Sequence, residues 1–324
     1  TIKLDGNYPV GTGNVALGDT ALDSVTSSGN YNTALGSGTL TSNTSGDQNV
    51  AVGLSSLTNN STGGNNVAVG LYAGRFNTTG GNNVSLGTEA LLSNTTASNN
   101  TAVGYQAAYS NTTGDRHVAL GYSALKDNTT GYRNNAIGYL ALTTNTTGFQ
   151  NNALGVNALR YNTTGTNNVA IGHEAGLSNT TGAGNSAVGK TTLQSNTTGA
   201  NNTAVGLQAL NGNTTAADNT AVGMNALVTN TTGASNTAVG RSALQESTTA
   251  SRNTAVGYQA GYSNTTGIEN TFVGRGAANA NTTGQHNAVF GDFAYGAGST
   301  GSYNTAIGKN ALRFNTTASN NTAV

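Results

Sequence analysis

The sequence predicts an all-β fold, a parallel β-solenoid built from 17-residue coils. Three observations carry that expectation. Glycine recurs as a ruler: from Gly36 to Gly308 every interval is 17 residues, sixteen in succession, and only the first, Gly18 to Gly36, is 18. The repeating unit reads N-T-A-V-G-x-x-A-L-x-x-N-T-T-G-x-x, best seen from Asn253 to Glu269, where only Gly261 departs from it. Such a unit is short for two helices and a turn, and its Gly, Thr and Val disfavour helix. The columns, finally, are chemically uniform. The residue before each repeat glycine is always apolar, as in Val52, Val103, Ile137, Leu154 and Phe290, and the residue four before it is Asn in every coil except at His117.

Within one coil, N-[TV]-A-[VIL] reads as a short strand ending at the repeat glycine, and x-x-A-L as a second strand after a bend. N-T-T-G reads as a turn whose glycine takes positive φ, although Ala97, Ala216, Ala250 and Ala318 stand there in four copies. Adjacent strand residues face opposite ways. The Val/Ile/Leu column is therefore expected to fill the interior. The Ala column before it (Ala51, Ala102, Ala136, Ala204) is expected to line the other face, small enough for a second sheet to approach. The Leu column (Leu91, Leu125, Leu142, Leu159, Leu193, Leu227, Leu244) supplies the rest of the core, relaxed to glycine at Gly74, Gly176 and Gly261. Stacked amides of the column Asn66, Asn83, Asn100, Asn134, Asn151, Asn168, Asn185, Asn202, Asn219, Asn236 and Asn253 are expected to form a structural hydrogen-bonded ladder at the rung spacing of about 4.8 Å.

Composition narrows the functional classes. Only 7% of residues are charged and the net charge is zero, from 12 Lys plus Arg against 12 Asp plus Glu, with no run of like charge; nucleic acid and anionic membranes are poor partners. With no Cys there are no disulfides or thiolate metal sites. No apolar run approaches the roughly 20 residues of a membrane span, so no membrane insertion is expected of this segment.

One stretch imitates a nucleotide site. Gly184 to Thr191 matches G-x-x-x-x-G-K-T. Gly189, however, is the repeat glycine, and the column of Lys190 elsewhere holds Tyr105, Val156, His173, Met224 and Asp292. A phosphate loop needs a helix opening after Lys-Thr, whereas the adjoining T-L-Q-S-N-T-T-G reads as a short strand and another turn. Catalytic carboxylates are not clustered either: Asp47, Asp115, Asp127, Asp218, Glu246, Glu269 and Asp292 are spread over many coils, and His117, His173 and His286 occupy three different columns. No catalytic, cofactor-binding or metal-binding residues are expected.

The turn asparagines Asn43, Asn60, Asn77, Asn94, Asn111, Asn128, Asn145, Asn162, Asn179, Asn196, Asn213, Asn230, Asn264, Asn281 and Asn315 each begin N-x-T or N-x-S, a glycan-acceptor pattern. Two readings stand. The favoured one is that Asn and Thr stabilise the turn and generate the sequon by repetition; the other makes the chain a single-chain glycosylated filament. The paired threonines raise ice binding, weakened because adjacent residues do not share a face. Tyr105, Tyr122, Tyr139 and Tyr258, and the pairs Arg75-Phe76, Arg160-Tyr161 and Arg313-Phe314, are candidates for carbohydrate contact.

The segments NNVAVG (Asn65 to Gly70), NNVAIG (Asn167 to Gly172) and NSAVG (Asn185 to Gly189) resemble the N-S-V-A-I-G repeat of trimeric autotransporter adhesin heads. The whole unit is similar to tandem repeats of bacterial and phage tail-fibre-like proteins, many of which carry a C-terminal self-cleaving chaperone. The resemblance covers about residues 13–324, without neck, stalk, barrel or chaperone. It implies a left-handed parallel β-roll, homotrimeric, serving as a spacer or adhesive rod, or as a phage tail-fibre shaft. The implied setting is extracellular, at a cell or virion surface, with self-association and surface glycans or host cells as partners. The expected organisation is a lead-in over residues 1–12, with Pro9, and a solenoid of about 18 coils over 13–324, continuing past Val324.

Overall fold

The computed structural model describes residues 10–324, so the Pro9 part of the lead-in lies outside the described residues. The chain forms two compact units, Thr1–Thr164 and Gly165–Val324. Each is an all-β parallel solenoid with one short strand per coil. The first unit holds β1 (Val15–Leu17), β2 (Thr33–Leu35), β3 (Val50–Val52), β4 (Val67–Val69), β5 (Val84–Leu86), β6 (Thr101–Val103), β7 (Val118–Leu120), β8 (Asn135–Ile137) and β9 (Asn152–Leu154). The second holds β10 (Val169–Ile171), β11 (Ser186–Val188), β12 (Thr203–Val205), β13 (Thr220–Val222), β14 (Thr237–Val239), β15 (Thr254–Val256), β16 (Thr271–Val273), β17 (Ala288–Phe290), β18 (Thr305–Ile307) and β19 (Thr322–Ala323). Within each unit every strand pairs in parallel with the next in sequence and in identical register, column on column. No helix among the described residues is long and apolar enough to cross a membrane.

Three local expectations are corrected. The Ala column, not the Val column, faces inward: Ala34, Ala51 and Ala68 are 0% exposed, while Val69 is 39%, Ile171 41% and Leu154 46% exposed. Parity explains it, because Asn and Ala stand two apart and share a face. A coil with a single three-residue strand has a narrow interior, already occupied by two asparagines, a second buried Ala (Ala73, Ala90, Ala107) and a Leu (Leu91, Leu125). Only a methyl fits beside them. The Ala column therefore cannot be the surface on which another chain packs.

The x-x-A-L segment is not a strand. After the repeat glycine, held at φ 120° in Gly53, the chain passes through left-handed residues at Ser55 (φ 53°) and Leu57 (φ 48°), and the same pair recurs along the chain. Its amides reach neighbouring coils in both directions: Ser55 N to Ser37 O at 2.9 Å, and Leu57 N to Ala73 O at 3.0 Å. The repeat glycine is obligatory twice over, since Gly70 sits at φ 136° and a Cβ there would lie 2.6 Å from Gly87 O.

The turn glycine, by contrast, does not adopt positive φ. It is small because a Cβ would crowd both its own turn asparagine and the next coil; at Gly131 that means Asn128 Oδ1 and Gly148 O. Ala97 and Ala216 show that a methyl is nevertheless accommodated. Positive φ falls two residues later, at Asn65 (60°), Asn82 (59°) and Asn99 (63°).

Where the sequence departs from the repeat, the core compensates. Phe272 in β16 replaces an Ala and is fully buried. Its ring lies against Gly261, which replaces a Leu; a Cβ there would sit 2.5 Å from Phe272 Cδ2. At Gly74 no ring fills the space, and a cavity of about 10 Å³ remains, lined in part by Leu57, Gly74, Ser85 and Leu91. Overpacking by Gly261→Leu should destabilise the protein by about 1–3 kcal/mol, and the cavity left by Phe272→Ala by about 3–5 kcal/mol. The double variant restores the majority Leu/Ala pair and should lose much less than the sum in denaturant unfolding. Strict additivity would show that ring and glycine do not share one space.

Candidate functional site

The polar groups of each coil converge inside it. The predicted Asn column forms a continuous buried ladder within each unit. Asn49 donates from its backbone N (2.9 Å) and from Nδ2 (3.1 Å) to Asn32 Oδ1, and from Nδ2 to Gly63 O at 2.9 Å. In the second unit, Asn202 repeats this on Asn185 Oδ1 (3.0 and 3.1 Å) and Ala216 O (2.9 Å).

A second ladder, which the sequence did not announce as such, runs through the turn asparagines. Asn60 Nδ2 donates to Asn43 Oδ1 at 3.0 Å and to Gly63 O at 2.9 Å. Asn196 Nδ2 reaches Asn179 Oδ1 at 2.7 Å and Gly199 O at 3.0 Å. The turn carbonyl thus accepts from both ladders. Fourteen of the fifteen sequon asparagines are buried, Asn315 alone being half-exposed. Their Nδ2 groups point inward and bond the turn carbonyl of their own coil, as Asn43 to Gly46 O at 3.0 Å and Asn264 to Gly267 O at 2.9 Å, the turn-stabilising geometry. Of the paired threonines, the first donates Oγ1 to the carbonyl of the next coil, as Thr78 to Thr95 O at 2.9 Å and Thr197 to Thr214 O at 3.0 Å. The second, such as Thr79 or Thr198, faces solvent.

His117 shows what the ladder demands. It is 1% exposed, and its Nδ1 accepts from Asn134 N at 3.2 Å, the place of an Asn Oδ1. With Nδ1 accepting, the ring proton lies on Nε2, which stands 3.2 Å from Asn128 Nδ2, and the ring is also bonded to the Gly131 carbonyl. The imidazole must therefore be neutral, and burial lowers its pKa from 6.5 to about 4, against opposing pulls from the hydrogen bonds to the Gly131 and Asn134 backbone and, last, from Asp115.

The nucleotide-like stretch offers no cradle. Its amides are taken by neighbouring coils, Ser186 N on Asn202 O at 2.8 Å and Thr191 N on His173 O at 2.9 Å. Asn185 is buried in the ladder, Ser186–Val188 is strand β11, and Lys190 points to solvent.

The exposed aromatics are largely occupied with one another. Tyr105, Tyr122 and Tyr139 stack at centroid distances of 5.2 and 5.3 Å. Their faces cover each other, leaving mainly edges for a ligand. Arg75 lies over Phe76 (5.2 Å) and Tyr72 (4.7 Å), Arg160 over Tyr161 (5.2 Å), Arg313 over Phe314 (5.5 Å), and Arg241 over Tyr258 (6.0 Å). Charged residues likewise pair from coil to coil: Arg252 with Glu269 at 2.6 Å, and Arg275 with Asp292, which holds that carboxyl below its ordinary pKa.

Comparison with protein-family models finds no match, and comparison with curated proteins finds no significant relative.

The His117 geometry sets a pH dependence. Its folded-state pKa of about 4 lies below the unfolded 6.5, so between those values the unfolded chain binds the extra proton. This contribution is fully present above about pH 6.5 and falls as the pH drops through that window, and the loss reaches about 3 kcal/mol at its lower end. His117→Asn restores the majority residue, and unfolding midpoints of the variant should lose this part of the acid dependence. Parallel pH profiles for the two proteins would refute the assignment.

Proposed function

We propose that this chain is a non-catalytic structural segment of an extracellular fibre or adhesin rod, acting as spacer and as multivalent attachment surface, with copies of itself as principal partner. The observation that carries this reading is the outer face of the strands. In the first unit the outward columns read Val50, Val52, Leu54; Val67, Val69, Leu71; Val84, Leu86, Thr88; Thr101, Val103, Tyr105; Val118, Leu120, Tyr122. No charged side chain interrupts them. At the strand spacing this ribbon covers roughly 400 Å², at the upper end of what monomers expose outside interaction sites.

An apolar, charge-free and strictly periodic surface suits another copy bearing the same periodicity. It gives no purchase to nucleic acid or anionic lipid. The homotrimer implied by the adhesin-like repeats would then be closed by the Val/Leu/Tyr columns. The interior, in turn, supports a mechanical role: with few exceptions its buried polar groups are engaged in bonding within and between coils.

Sedimentation of the intact chain should give three times the chain mass. Val69→Lys with Val103→Lys, both on half-exposed or exposed outward positions, should yield a folded monomer with unchanged circular dichroism. A wild-type chain that stays monomeric at tens of micromolar would defeat the self-association reading. Retained trimer mass in the double variant would move the interface elsewhere. Binding of the assembled material to cells or glycans separates adhesin from plain spacer, and thermal hysteresis would instead favour ice binding.

A further inference from the structure

In the turn ladder each amide nitrogen normally donates twice. Asn213 Nδ2 reaches Asn196 Oδ1 at 2.8 Å and Ala216 O at 3.0 Å; Asn230 Nδ2 reaches Asn213 Oδ1 at 3.0 Å and Gly233 O at 2.9 Å. In the following coil the position belongs to Ser247. Its shorter side chain supplies no amide, so Asn230 Oδ1 in the coil before loses its donor and Ala250 O in its own turn loses one of two. Both Asn230 and Ser247 are 0% exposed, and Asn230 Oδ1 and Ser247 Oγ have no protein partner. Ala250 O receives Asn236 Nδ2 at 2.8 Å, whereas Gly233 O one coil earlier receives both Asn219 Nδ2 and Asn230 Nδ2 at 2.9 Å.

We propose that one buried water molecule takes the position of the missing amide nitrogen and closes the ladder at Ser247. Its two O–H groups donate to Asn230 Oδ1 and Ala250 O, reproducing the two N–H groups of an asparagine, and its oxygen accepts from the Ser247 hydroxyl. Three polar partners in a buried site is the ordinary environment of a structural water. Three uncharged oxygens are too few for a calcium ion, which takes six to eight ligands. At the other interruption of this ladder protein supplies one of the two missing donors, while Asn281 Oδ1 in the coil before stays without a protein partner. At Gly298 the ring of Tyr295 occupies the asparagine's space, and its hydroxyl donates to Gly301 O at 3.1 Å. No ring is available at Ser247, whose coil carries the usual Leu244.

The test is a structure of the intact chain, by diffraction or electron microscopy at a resolution that shows ordered water, alongside S247N. Asparagine is compatible with an alanine turn, as Asn94 with Ala97 and Asn213 with Ala216 demonstrate. The wild type should show one solvent peak within hydrogen-bond distance of Asn230 Oδ1, Ala250 O and Ser247 Oγ. In S247N that peak should be replaced by the new Nδ2, donating to Asn230 Oδ1. A dry site in the wild type, or a peak that persists beside the introduced amide in the variant, would overturn the proposal.

Discussion

Everything else in this structure depends on a single carbonyl per coil. Gly63 O, at the tip of its turn, accepts Nδ2 of Asn49 and Nδ2 of Asn60, so the two amide ladders meet there. A buried amide or carbonyl without a partner costs about 1–3 kcal/mol. In a coil this narrow water has no general access, and the complementary groups come from the turn itself or from the two asparagine columns of adjoining coils. The constraint is geometric and strict. An inserted residue in one coil would carry both asparagines off their partners together, which explains why sixteen intervals of 17 succeed one another without exception. The single 18-residue interval falls at Gly18 to Gly36, in the coil where Val25 stands in place of the turn asparagine.

The ladders also decide where the apolar side chains go. Two amides, a Leu and two small residues fill the interior, so the larger aliphatic side chains of the strands are turned outward. The hydrophobic contribution per coil is correspondingly modest, close to what a buried Leu and two Ala methyls supply. Hydrogen bonding between identical rungs has to carry specificity that a larger domain would obtain from a core. The departures obey the same accounting of space and bonds. A Phe enters only opposite a glycine, a Tyr in the Leu column fills the space of an absent Asn where its hydroxyl reaches the turn carbonyl, and a His replaces an Asn with Nδ1 as the acceptor.

Much of this was legible in the sequence. The glycine interval gave the coil length, Thr and Val gave the strand, and the asparagine column before the strand gave the first ladder. The facing of the strand was not legible, because hydrophobicity alone ranks Val52 above Ala51 for burial, and only the size of the interior reverses that order. The second ladder was hidden behind the sequon: N-T-T-G signals a turn equally well whether its asparagine points out or in. The x-x-A-L segment misled for a related reason. Leu57 and Leu125 adopt left-handed backbone, φ 48° and 54°, that no local propensity favours and that coil-to-coil hydrogen bonds impose.

The columns that vary from coil to coil are those without a bond to their own kind. The position after the repeat glycine holds Leu54, Tyr105, His173, Met224, Arg241 and Asp292, and the two residues after the turn glycine are similarly mixed. They face solvent, and exchanging one for another disturbs neither ladder. Outside the apolar ribbon of the first unit, recognition of anything other than a second copy is expected in these columns, since the interior departs from its pattern at few positions and the outer strand face varies little. A ligand reading them meets a different combination on each coil at a fixed spacing of about 4.8 Å. That arrangement favours many weak contacts spread along the chain over one deep site, and strength then depends on the number of coils engaged at once.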